Sequence, residues 1–301
     1  MMNRFRRRKF LSKPVPTWLN GLLVIGSLAT LVYFELQRPL RLRKTQESKL
    51  RRDARNFAIA GLSAVAVSLV EKPLAEPIAH RAIRRRRGLL QRRRLPVALE
   101  LALTVALLDY TLYLWHVLTH KVPLLWRFHQ AHHVDLDMDA TTAIRFHFGE
   151  MILSTPWRAV QVRLIGASPL GLALWQTITL IEILFHHSNV RLPAEVERLL
   201  CRLIVTPRMH GIHHSIVQEE TDSNWSTIFS WPDYLHGTLR LNVPQGEITI
   251  GVAGFQDSAE LTFGKVLALP LTANRPSWQL VEDGKPVRKE LPPLPETALA
   301  S

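Results

Sequence analysis

Eleven of the 13 histidines in this 301-residue chain lie between His116 and His214, and their spacing says more than their number. WHVLTH places His116 and His120 four residues apart. HQAHH places His129, His132 and His133 at i, i+3 and i+4, and HGIHH repeats that pattern at His210, His213 and His214. On a helix these intervals fall on one face, so each box presents a comb of imidazoles. Imidazole is a ligand for iron, zinc and copper. A structural zinc site takes four ligands, whereas the three boxes hold eight histidines. That is enough for two metals with positions left open, and such a pair can bind and activate O2. Between the boxes lie His147, in RFHFGE, and the neighbours His186 and His187, in FHHSN. His80 and His236 lie outside and read as ordinary surface or interfacial residues.

Carboxylates and amides near the boxes are candidates to orient them. Asp109 precedes His116 by seven residues, two helical turns, and so shares its face. A carboxylate there can accept a hydrogen bond from a ligand imidazole and fix its tautomer. Glu150, three residues after His147, invites the same reading, and Asn189, two after His187, fits a polar, organised site. His186 points elsewhere on a helix than His187, which suits a supporting or packing role better than ligation. The single cysteine, Cys201, excludes an internal disulfide and a cysteine-held iron–sulfur cluster. No haem, flavin or nicotinamide motif is present, so electrons for O2 chemistry must come from a separate protein. A non-catalytic metal binder or transporter is the alternative. It would spread its histidines across several spans, whereas these boxes follow span ends and return to one level. A histidine-ligated metal hydrolase is a third reading, separated by whether turnover depends on O2.

These boxes need a scaffold, and the apolar residues supply it in blocks. Thr17 to Phe34 carries no charge and is close to the length that crosses a bilayer. Phe57 to Val70 is short and is followed by EKPLAEP, which predicts a half-span or one arm of a re-entrant hairpin. Leu95 to Trp115 is long enough to span, with Glu100 and Asp109 turned away from lipid. Pro169 to Phe185 follows an amphipathic stretch, Met151 to Gly166, expected at the interface or as half of a hairpin. The formal net charge of +13 comes mostly from arginine runs in the first 95 residues. Each run lies beside an apolar block and no nucleic-acid module appears, so lipid headgroups are the expected partner, not nucleic acid. The block from Trp18 is too long for a signal-peptide core and reads as a retained anchor. Arginine flanks the first segments on every side, so charge asymmetry gives no consistent orientation, which argues that the second segment does not cross fully. The expected organisation is an N-terminal anchor region with basic loops (1–94), a catalytic region (95–244) and a C-terminal soluble tail (245–301) ending in RKELPPLPETALAS.

From about Asp109 to Thr238 the chain resembles the fatty acid hydroxylase / sterol desaturase superfamily of integral-membrane di-iron oxygenases. The resemblance rests on DYTLYLWHVLTH, LWRFHQAHH, RFHFGE, FHHSNVRLP, TPRMHGIHH and DSNWSTIFSWPDYLHGT. It implies an all-α membrane bundle of about four apolar segments with a histidine-lined di-metal region on the cytosolic face. It further implies O2-dependent hydroxylation, desaturation or ether cleavage of a lipid by two iron ions, with zinc as a substitute in purified protein. Carried over by position, the implied ligands are His116, His120, His129, His132, His133, His187, His210, His213 and His214. His147 falls in the family's Arg-x-His-Pro-x-Glu segment, as a further ligand or a support. Two departures stand out: Phe148 replaces the usual proline, and Pro232-Asp233 replaces Trp-Asp, with Trp231 one place earlier.

Overall fold

The computed structural model describes residues 4–45, 47–93, 95–272, 275–280 and 286–288. Among these residues the chain is helical, with no strand and three isolated β-bridges. Helix α1 spans Arg4–Leu11, α2 Thr17–Gln37 and α3 Lys49–Ala66; α3 runs through a π-turn, Val67–Glu71, into α4, Lys72–Arg85, with α5 at Leu89–Arg92. Then come α6 (Val97–Lys121), α7 (Pro123–His133), α8 (Phe148–Ile165) and α9 (Pro169–His187). Short helices follow: α10 (Ala194–Leu200), α11 (Pro207–His213), α12 (Gln218–Thr221), α13 (Trp231–His236) and α14 (Phe263–Ala268).

Four helical stretches are long and apolar enough to cross a bilayer: Thr17–Gln37, Lys49–Arg92, Val97–Lys121 and Pro169–His187. The second differs from expectation, because EKPLAEP does not break it. The N–H of Lys72 reaches back five residues to the carbonyl of Val67. This widened turn stands directly before Pro73, so the rings of Pro73 and Pro77 are taken into a continuing helix. The same turn brings Glu71, buried at 7% exposure, within 3.5 Å of Arg158 on α8.

Helices α2 and α6 pack on α9, and α3 and α4 pack on α8. Ala75 and Ala79, one turn apart on α4, let that helix approach Leu108, Val162 and Trp175 closely in the main core. Helix α2 buries none of its residues and presents Trp18, Leu22, Ile25 and Tyr33 outward, as a lipid-facing helix does. Several charged groups turn inward instead. Glu100 is fully buried against Gln91 and Arg7, and Arg158 lies 4.2 Å over the Trp175 ring. The amphipathic stretch forms α8, which packs on α3, α4 and α6. Beyond residue 245, Val252, Phe255, Leu261, Val266 and Leu269 pack on Ile59, Ala131 and Val134. Of RKELPPLPETALAS only Arg288 lies within the described residues, paired with Glu220 and Glu247.

The chain turns from α8 towards α9 at Gly166, whose φ of +77° favours glycine, and Gly166 meets Gly88 backbone to backbone. A Cβ on Gly166 would stand 2.7 Å from the Arg87 carbonyl oxygen and 2.9 Å from the Gly88 Cα. Gly166→Ala should therefore lower stability by ~1–3 kcal/mol, read as a reduced thermal midpoint in detergent. Gly237→Ala, at φ +66° with nothing within 4 Å, should cost less.

Candidate metal centre

Local sequence rules bring the boxes together. Helix α6 ends at Lys121 and Pro123 opens α7, so the chain turns a corner between the first two boxes. Thr206 caps α11 through the Met209 N–H, with Pro207 in the first turn, and this short helix carries the third box against α9. His187 closes α9 and faces it.

Nine histidines form two groups, in each of which one nitrogen per ring lies within 4.8 Å of all the others. The first holds His116, His120, His129, His133 and His213; the second holds His132, His187, His210 and His214. The HxxHH boxes do not serve one group each. Adjacent residues of a helix diverge by about 100°, so His132 and His133 go to different groups, as do His213 and His214. The rings of His133 and His214 stack at 4.3 Å and bring the groups side by side.

Four of the rings are oriented by an acceptor. Nδ1 of His116 lies 2.8 Å from the Trp225 carbonyl, that of His213 2.8 Å from the Ser223 carbonyl, and that of His187 2.7 Å from the Ile183 carbonyl. Nδ1 of His129 lies 3.0 Å from Glu150 Oε1. These oxygens only accept, so Nδ1 carries the proton and Nε2 turns a lone pair inward. Nε2 of His187 lies 3.0 Å from that of His132 and 3.1 Å from that of His210. His120 and His214 have no hydrogen-bond partner on either nitrogen, and His213 has none on Nε2. Buried nitrogens without partners are costly; converging neutral imidazoles held by their far nitrogens are the donor set a pair of soft-to-borderline metal ions takes. Burial, then the neighbouring rings, pushes His132, His133, His210, His213 and His214 well below the ordinary histidine pKa, which keeps them neutral.

The other candidates lie outside both groups. His147 caps α8: its Nδ1 accepts from the Gly149 N–H at 2.9 Å and its Nε2 donates to the Leu267 carbonyl at 3.1 Å. Both nitrogens are used, leaving no lone pair for a metal. Glu150 supports His129 instead of His147. Asp109 touches no imidazole; it accepts from the Ile228 and Phe229 N–H groups at 3.0 and 3.1 Å. Asp233 likewise accepts from the Trp225 and Ser226 N–H groups, each at 3.0 Å. Together they brace the loop whose carbonyls hold His116 and, at 3.1 Å, Nδ1 of His186. His186 is buried, and its ring lies 4.1 Å from that of His210. Asn189 exchanges hydrogen bonds with the backbone of Arg41, at 2.8 and 2.9 Å, and so latches the loop after α2 to the end of α9.

Sequence reasoning missed what lies beneath the second box. Arg52, read as a headgroup contact within a basic run, is fully buried. It grips Asp135 with two bonds, at 2.8 and 2.9 Å, and reaches Asp139 at 2.7 Å. Arg145 adds an ion pair to Asp135 at 3.1 Å and donates to the Ala131 carbonyl inside the box. An aspartate two residues after HxxHH was the available signal. Trp126 lies 5.1 Å from His120 and 5.5 Å from His133.

Burial alone would raise the Asp135 carboxyl, but Arg52 and then Arg145 override it and hold the pKa down at about 2. A depressed carboxyl stabilises fully above its ordinary value of 3.8 and loses that stabilisation as pH falls towards 2. Asp135→Asn should cost ~3–5 kcal/mol near neutrality by leaving buried Arg145 without its carboxylate and Arg52 with Asp139 and Asp53 alone. The gap in thermal midpoint between variant and wild type should close between pH 4 and 2. Glu150→Ala should lower metal affinity ~10–100-fold by releasing His129, while His147→Ala leaves metal content unchanged; metal analysis of the purified variants distinguishes them.

Residues 101–238 match the family described as fatty acid hydroxylase. An ornithine lipid hydroxylase of Rhizobium tropici is 32% identical over 161 residues, covering 53% of this chain and 47% of that protein. A cholesterol 25-hydroxylase of Rattus norvegicus is 26% identical over 157 residues, 51% of each chain. An alkylglycerol monooxygenase of Xenopus tropicalis is 29% identical over 146 residues, 48% of this chain and 31% of that protein. The match thus spans about half the length of the first two relatives and less of the third. No solved structure matches. Residues 101–238, a little under half of the chain, are thus similar to the fatty acid hydroxylase family, and four helices are long and apolar enough to cross a membrane.

Proposed function

We propose that the chain is an O2-dependent lipid hydroxylase or desaturase whose nine clustered histidines hold two iron ions. The observation that carries this reading is the division of nine imidazoles into two adjacent groups, in a domain whose relatives are named as lipid-acting hydroxylases and a monooxygenase. His116, His120, His129, His133 and His213 would hold one ion, and His132, His187, His210 and His214 the other. When bound, the irons supply O2 activation and removal of hydrogen from an unactivated C–H bond. Hydroxylation balances as one O2, two electrons and two protons added to the lipid, giving an alcohol and water. The electrons come from a separate donor protein.

The chain's own residues preorganise this chemistry. The Trp225, Ser223 and Ile183 carbonyls and the Glu150 carboxylate fix four rings with Nε2 facing inward. Phe146 stacks on His132 at 4.4 Å, and with Trp126 it gives the groups apolar walls that limit water. A lipid reaches the site from the bilayer, since the first box and His187 end α6 and α9, and α7 and α11, which carry the other boxes, pack beside them. The side of the membrane is the cytosolic one on this reading, where reduced donors are available. A transporter would need ligands along a path through the spans. His80 and His236, the two histidines outside the clustered region, are exposed instead.

His132→Ala and His213→Ala each remove one ligand from a different group. Each should lower bound iron and reduce lipid-dependent O2 consumption at least ~100-fold. Full iron and full turnover in either variant would sink the assignment. Comparing lipids of cells with and without the protein by mass spectrometry should show a missing hydroxyl or double bond, which names the substrate.

A further inference from the structure

A second site lies behind the third histidine box. A cavity of about 1030 Å³ opens between the loop after α2, the segment from Arg191 to Glu197, and residues 244–258. Its walls include four cationic side chains, Arg41, Lys44, Arg191 and Arg208. Three acids also line it, and each is engaged. Asp137 pairs with Arg43, Glu197 bonds with Thr206, and Asp257 accepts the Ala259 N–H. The balance facing the cavity is positive. Arg41 is 7% exposed and donates through Nη1 to Gln245 at 2.7 Å and to the Pro207 carbonyl at 3.2 Å. Its Nη2 is buried without a hydrogen-bond partner. An unpartnered guanidinium nitrogen buried beside a cationic cavity is costly, and a small shift of the side chain would bring it to an anionic oxygen there.

The surroundings place this cavity at the lipid headgroup layer. Membrane helices α2 and α9 end at Gln37 and His187, and the chains leaving them pair at once: the Leu40 N–H donates to the Asn189 carbonyl and the Arg191 N–H to the Arg38 carbonyl, each at 2.8 Å. The cavity begins at this junction. On its flank α10 buries Glu197 and turns Val196 and Leu199 outward, at 43% and 61% exposure. Leu42, on the cavity wall, is 82% exposed. Apolar side chains in that position dip into a bilayer surface. The cavity also touches the box itself, because a Cβ on Gly211 would stand 2.3 Å from Arg41 Nη1. Only glycine lets the guanidinium lie against α11.

We propose that this cavity binds the phosphate of a membrane lipid headgroup, with the acyl chains against the outward apolar faces of α2 and α10. Arg41 and Arg191 offer planar donors that match phosphate oxygens, and Lys44 adds a point charge. The proposal goes beyond the oxidative reaction, because the site is separate from the histidine groups and its ligand need not be the substrate.

Binding is measured on the purified full-length protein in neutral detergent by native mass spectrometry and thermal shift, with metal content determined alongside. Three probes are compared: dioctanoyl phosphatidylglycerol, dioctanoylglycerol and inorganic phosphate. The phosphatidylglycerol should bind at least tenfold more tightly than either of the others. The double variant Lys44→Gln/Arg191→Gln should lose at least tenfold in that affinity, and Lys44→Arg/Arg191→Lys should retain it, which separates charge from folding. Equal binding of inorganic phosphate would make this a free-anion site, and equal binding of dioctanoylglycerol would make it an apolar groove; either overturns the proposal. So does an unchanged affinity in the double Gln variant. None of these readouts needs turnover, so failure of the oxygenase reading and failure of this one are distinguishable.

Discussion

Nine imidazoles share one dry space at the ends of membrane helices, and that crowding governs the rest of the molecule. Each ring must be neutral, must aim a lone pair inward and must be prevented from turning outward. Water cannot do this in a buried site, so fixed acceptors do it. The Trp225, Ser223 and Ile183 carbonyls and the Glu150 carboxylate anchor one nitrogen of four rings. The remaining rings pack on one another and on those four, as His133 does against His214 at 4.3 Å and His129 at 4.9 Å.

That requirement propagates outward through acids and arginines. The loop from Ser223 to Phe229 offers carbonyls to three histidines, and it is held by Asp109 from α6 and Asp233 from α13. Asp233 keeps this role although its neighbour is Pro232, so the altered motif leaves the brace in place. On the other side, Asp135 and Asp139 tie α3 to the turn after the second box through Arg52. Buried ion pairs of this kind contribute little net stability, yet removing one partner is costly. They fix the register of the helices instead.

The membrane helices answer to a different constraint. Their outer faces are apolar and unpaired, as on α2, while Glu71, Glu100 and Asp109 turn inward to partners. The π-turn before Pro73 serves both needs, carrying the helix past two prolines and aiming Glu71 at Arg158. The cationic cavity behind the third box lies where these helices end and the polar layer begins.

The sequence by itself determined the faces on which the box imidazoles stand, because HxxxH and HxxHH spacings put them on one side of a helix wherever that helix goes. It also determined the apolar stretches and the inward turn of Glu100 and Asp109, since lipid tolerates no bare charge. It did not determine how the boxes divide between the two groups, because i+3 and i+4 residues share a face only loosely and the partner helix selects between them. Nor did it show that His147 is a cap, that Asp109 holds a loop instead of a ring, or that Arg52 is buried. Those outcomes depend on contacts across 83 to 120 residues of sequence, between Arg52 and Asp135, Asp109 and Phe229, and His147 and Leu267. Local spacing carries no information about such distances; only packing in three dimensions decides them.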